Sequence, residues 1–155
     1  MTTDAAHTTD RWSKLSRSEL TALGKADVRE RLESLGCTVT APTSLIDGRL
    51  EVTTRSGRSI EVFVSTQRLG GYAFWTQRRL QPSHDRYAAV VLLGDARDPA
   101  LYVVPSTDWL GAAPPLKNRA NVGKKSEPEL GISLARSSLP ALERYRWDER
   151  EDDFR

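Results

Sequence analysis

The sequence predicts a single α/β domain, a central mixed sheet with an N-terminal helix packed on one face. Three stretches carry that expectation. Residues 16–36 place leucines and a valine at helical spacing, and residues 49–66 alternate apolar and polar side chains around a glycine turn. Residues 87–104 hold two short, nearly all-apolar runs separated by charge and glycine, the pattern of strands covered on both faces. With 155 residues, 38% of them hydrophobic and 28% charged, the chain is long enough to bury one substantial core.

The elements follow in order. Residues 1–12 are expected to be a disordered tail, small, polar and without periodicity. The domain is then expected over 13–147, and an acidic tail over 148–155. Ser16 or Ser18 caps a helix running to about Leu35, in which Leu20, Leu23, Val28, Leu32 and Leu35 form one apolar stripe and Gly36 supplies the stop. Cys37 to Ala41 reads as a first short strand ended by Pro42. After a turn at Asp47-Gly48 comes a β-hairpin, with Leu50, Val52 and Thr54 on one arm, Ile60, Val62 and Val64 on the other, and Ser56-Gly57 between them.

Tyr72 to Thr76 reads as a less regular strand after Gly70-Gly71. Adjacent strand residues face opposite ways, so one of Phe74 and Trp75 belongs to the core. Arg78 to Ser83 is a loop. Tyr87 to Leu93 is a central strand, and Leu101 to Val104 its neighbour, ended by Pro105, after which Ser106 caps a short turn. Residues 111–130 form a long irregular connection with Pro114, Pro115 and Pro128, a length that favours a functional or mobile segment over structural filler. Ile132 to Leu134 is a last short strand. Ser138 to Tyr145 is a closing helix with Pro140 in its first turn.

Charge and cysteine content narrow the functional classes. The net charge of +2 hides an asymmetry, because residues 1–10 and 146–155 contribute −2 each while 11–145 carry +6. A basic body suits a polyanionic partner, DNA or RNA. The single Cys37 makes no internal disulfide, and with two histidines it builds no Cys/His zinc cluster, so a buried structural thiol is expected. No apolar run approaches the roughly 18 residues of a spanning helix. The N-terminus lacks the basic and apolar regions of a secretory signal, so a cytoplasmic location without a membrane partner is expected.

Helix, strand, hairpin and two further strands with a Tyr-Val-Val-Pro ending resemble the PD-(D/E)XK nuclease superfamily, the restriction-endonuclease-like fold. The texture around residues 87–93, 101–106 and 125–132 is similar to small bacterial proteins of that group. The resemblance covers about residues 20–135. It implies an active site on the hairpin, where two carboxylates hold Mg²⁺ and a lysine helps to orient water and offset developing charge. Carried over position by position, the helix glutamate falls at Lys25, the first-strand aspartate at Arg49, the acid or amide of the closing triplet at Phe63, and its lysine at Ser65. Cations at two carboxylate positions repel Mg²⁺, so the resemblance implies a degenerate, non-catalytic member without a cofactor.

Two alternatives stand beside it. One is an active Mg²⁺-dependent endonuclease using Asp27, Asp47 and Glu61, which leaves phenylalanine where lysine belongs. The other is a protein-interaction subunit, of a defence or mobile-element system, meeting a protein partner through a sheet edge or residues 111–130.

For nucleic acid, Lys25, Arg49, Arg68, Arg78, Arg79, Lys124 and Lys125 are the candidate contacts, with Tyr72, Phe74 and Trp75 nearby for stacking. Against this stands the plain reading of solvated arginines at strand ends and core aromatics. Glu127 and Glu129 are expected to anchor their loop by pairing with arginines. His84 is expected at the surface beside a strand start, and Ser65 lacks the Gly-x-Ser-x-Gly setting of a nucleophile.

Overall fold

The computed structural model describes residues 12–40, 48–94, 98–111, 113–121, 123 and 125–155. Asp47, Lys124 and the expected disorder of residues 1–11 lie outside them. At its N-terminal end, Ser16 caps helix α1 (Arg17–Ser34) through a reciprocal box with Glu19, whose backbone donates to the Ser16 hydroxyl while its carboxylate accepts from the Ser16 amide. Gly36 ends it in the left-handed region at φ 88°. Of the expected stripe, Leu20, Val28 and Leu32 are buried, and Leu23 and Leu35 pack partly buried against the same core.

Five strands form the main sheet in the order β1 (Thr38–Thr40), β2 (Arg49–Thr53), β3 (Ser59–Arg68), β5 (Arg86–Leu93) and β6 (Ala100–Pro105). Only the β3–β5 pair is parallel, so the sheet is mixed. The β2–β3 hairpin closes where Gly57 takes φ 92° and buried Thr54 accepts from the Arg58 amide at 3.0 Å. Val62, Val64, Val91 and Val103 face α1. Phe63, Ala88, Val90 and Val104 face the other way, and both faces are covered.

Two parallel strands need a connection that crosses from one end of the sheet to the other. Residues 69–85 make that crossing on the face away from α1, and their strand, β4 (Tyr72–Thr76), leaves the main sheet. It joins a second, antiparallel sheet in the order β4, β8 (Glu129–Ser133), β7 (Leu116–Arg119). The long connection expected at 111–130 therefore contains a strand, β7. Its sequence Leu-Lys-Asn-Arg has one apolar residue and takes its conformation from pairing with β8.

Ser106 does not cap the 3₁₀ turn it opens, Ser106–Leu110. It is fully buried, its hydroxyl donating to the Ser83 carbonyl and accepting from the Ser83 amide, both at 2.9 Å. The expected closing helix is broken into a 3₁₀ turn (Arg136–Ser138), one turn of helix α2 (Leu139–Leu142) and a second 3₁₀ turn (Glu143–Tyr145).

Two corrections concern the ends. Trp12, assigned to a disordered tail, is buried in the core beneath α1, with its carbonyl accepting from the Arg68 guanidinium at 2.6 Å. Residues 148–155 are acidic, yet they are packed onto the body. The chain crosses the β6 edge by a single bridge between Tyr102 and Arg146, forms α3 (Trp147–Arg150), and ends in a 3₁₀ turn that buries Phe154 completely. Phe154 lies 5.6 Å from Trp147 in a stacked pair and 4.9 Å from Tyr87. The aromatic content of the segment, two rings in nine residues, outweighs its charge. Among the described residues no helix is long and apolar enough to cross a membrane.

Candidate nucleic-acid interface

The hairpin positions carried over from the nuclease pattern meet on one side of the sheet. Arg49 lies opposite Phe63 in the β2–β3 register, and Ser65 follows two residues on, so all three share the face that looks toward the second sheet. Phe63 is core, 3% exposed. Lys25 is elsewhere, on α1 over the opposite face.

Among the described residues Glu61 is the carboxylate beside this group, and both of its oxygens are engaged. Arg49 donates to Oε2 at 3.3 Å and Arg86 to Oε1 at 3.4 Å, while Glu51 stands 3.9 Å from Arg49. A carboxylate between two guanidiniums is a poor ligand for a divalent cation, because both its lone-pair directions and its charge are already committed. Asp27 pairs with Arg31 on α1 at 3.2 Å, and Arg31 in turn reaches the Pro99 carbonyl at the start of β6. Glu61 pairs with Arg86 at the beginning of β5. Asp27, on α1, and Glu61, in register with Arg86, thus lie on opposite faces of the sheet. Among the described residues no three acid, histidine or cysteine side chains converge on a metal position.

A different feature occupies the end of the hairpin. Beyond Gly48 the β3 strand continues to Arg68, and beside it opens a cleft of about 440 Å³ between the start of α1 and β4. Arg17, Arg68 and Arg79 line it, with Thr21, Ser65 and Gln67 supplying hydroxyl and amide groups, and Phe74 at its rim. No carboxylate lines it among the described residues. Gly24 lets α1 come close at this point, since a Cβ there would overlap the Thr66 hydroxyl, which is buried and without a hydrogen-bond partner among the described residues.

The other candidate contacts divide. Arg68 is both cleft wall and structural tie, donating to the Trp12 and Leu15 carbonyls. Arg49 is drawn to Glu61 and does not line the cleft. Arg78 pairs with Glu127 at 3.3 Å, and Arg119 with Glu129 at 3.7 Å, so the two glutamates do anchor their segment through arginines. Lys125 is exposed. Trp75 is buried and Phe74 is 54% exposed, the split that strand alternation required. Cys37 is buried, its thiol pushed up by that burial and donating to the Phe154 carbonyl. His84 is exposed, its carbonyl accepting from Arg58.

Arg17 was not among the sequence candidates. Its one signal was local, a cation in the first turn of a helix, where the macrodipole disfavours positive charge.

The arrangement as a whole is an α/β protein with a mixed sheet, one helix-covered face and a basic cleft at the strand end. Compared with protein-family models, with curated proteins and with solved structures, the chain gave no match in any of the three.

Proposed function

We propose that the protein is a non-catalytic relative of the PD-(D/E)XK nucleases that binds the nucleic-acid backbone in the cleft beside β3. The observation carrying this reading is the cleft itself, three arginines and no carboxylate among its described residues, next to the hairpin positions where the nuclease pattern expects its metal site. Phosphate oxygens suit guanidinium forks and hydroxyl donors, whereas a Mg²⁺ site needs a surplus of carboxylate. The Arg49–Glu61–Arg86 network supports the same reading, because it holds Glu61 in a structural ion pair.

Fluorescence anisotropy with a labelled oligonucleotide across a salt series tests the proposal. Each phosphate neutralised on a duplex adds about 0.9 to the slope of log affinity against log salt, so three arginines predict a slope near −2 to −3. Arg17→Glu with Arg79→Glu should abolish binding while circular dichroism stays unchanged. Absence of binding at low salt refutes the reading and leaves the protein-interaction role in front. Plasmid cleavage with Mg²⁺ or Mn²⁺ that disappears on Glu61→Ala would instead establish the active nuclease.

A further inference from the structure

The outer face of the β4–β8–β7 sheet places aromatic rings beside cations at the mouth of the cleft. Ala73 and Trp75 point into the core at 0% and 6% exposure, so Tyr72 and Phe74 point out. Their rings stack at 6.2 Å with 21° between planes. Across the sheet, Gly131 sits opposite both Phe74 and Lys117, and its missing side chain is what admits Tyr72. A Cβ at 131 would overlap the Tyr72 ring and hydroxyl. Tyr72 thus lies across the central strand and meets the far one, where Arg119 stands 4.9 Å and Lys117 5.9 Å from its ring centre. Burial raises the Tyr72 hydroxyl above its ordinary pKa, with Arg119 opposing.

Phe74 is the outermost member of this row and also lines the cleft. It is one of two large apolar side chains left exposed among the described residues. An exposed ring held by stacking, flanked by cations on one side and an arginine cleft on the other, matches a strand that alternates bases and phosphates. Charge on the face agrees, since Lys117 and Arg119 outnumber Glu129.

We propose that this face is a base-stacking platform, so that the ligand of the cleft is single-stranded polynucleotide, with a base on Phe74 and flanking phosphates on the cleft arginines and on Lys117 and Arg119. This rests on the nucleic-acid reading of the cleft and narrows it. The bases of a duplex are already stacked on one another and offer a ring such as Phe74 no free face except at the ends, whereas every base of a single strand does.

Anisotropy with the full chain and three labelled 12-mers of one sequence, single-stranded DNA, single-stranded RNA and duplex DNA, separates the outcomes. Either single strand is expected to bind more tightly than the duplex at equal salt. Phe74→Ala should weaken single-strand binding about tenfold with the salt slope unchanged, and Phe74→Trp should restore it. Lys117→Ala with Arg119→Ala should lower the slope by about one to two. With an abasic 12-mer the Phe74→Ala loss should vanish. A single-strand affinity unmoved by Phe74→Ala, or equally moved with the abasic strand, overturns the platform. Duplex binding without single-strand binding overturns it too while leaving the cleft reading intact. No binding of any probe at low salt removes both.

Discussion

Removing the Phe154 ring tests the largest departure of the fold from its sequence pattern. The side chain is completely buried between Trp147 and Tyr87, next to a carbonyl that accepts from the buried Cys37 thiol at 3.2 Å. Truncating a buried phenylalanine to alanine costs about 3–5 kcal/mol in lost transfer energy and residual cavity. Two aromatic contacts place Phe154→Ala toward the upper half of that range. For a chain of this size each kcal/mol moves the melting midpoint by about 2–4 °C, so a loss of about 4 kcal/mol predicts a fall of roughly 8–16 °C. Urea unfolding followed by tryptophan fluorescence gives the free energy directly, and an unchanged m-value shows that the exposed surface is comparable. Asp152→Ala, at an 88% exposed side chain in the same segment, is the control and should leave the midpoint nearly unchanged. A Phe154→Ala loss below about 1 kcal/mol would refute the docking of the C-terminal segment, since no buried ring is that inexpensive to remove.

Three further outcomes follow from the packing. Gly24→Ala should destabilise by about 1–3 kcal/mol despite the better helix propensity of alanine, because its methyl meets Thr66. In a Thr66→Ala background the sign should reverse, and a stabilising Gly24→Ala in the otherwise unchanged chain would contradict the close approach of α1 to β3. The Tyr145 hydroxyl, buried and donating to Asp108 at 2.7 Å, is pushed up to about 12 from an ordinary value of 10.0. Its folded pKa exceeds its unfolded one, so the stability it contributes is complete below about pH 10 and is lost as pH rises toward 12. Tyr145→Phe should flatten the alkaline limb of a stability profile over that window. Cys37 should react with a thiol reagent far more slowly in the native protein than in denaturant, and a native rate equal to the denatured one would contradict its burial.

The sequence by itself determined the pieces whose instructions lie within one stretch of chain. The Ser16–Glu19 capping box, the stripe through Leu20, Val28 and Leu32, and the Gly36 stop define α1 with no reference to anything distant. Alternation about Gly57 likewise defined the hairpin, and the apolar runs defined β5 and β6 with the order of elements between them. Even the division of Phe74 from Trp75 followed from strand geometry alone.

The tertiary structure decided what depends on partners far along the chain. Tyr72 to Thr76 carries no mark sending it to a second sheet with β8, and Leu-Lys-Asn-Arg becomes β7 only through its register with Glu129 to Ile132. Phe154 reads as the end of an acidic tail until Trp147 and Tyr87 enclose it. The basic surface divided in the same way. Arg49 was legible as a cation at a carboxylate position, but its use on Glu61 was not, and Arg17, Arg68 and Arg79 become one cleft only when α1, β3 and β4 are assembled. Local propensity acts over a few residues and is printed in the chain. Pairing, burial of a late ring and convergence of charge are long-range, and their energy exists only once the segments meet.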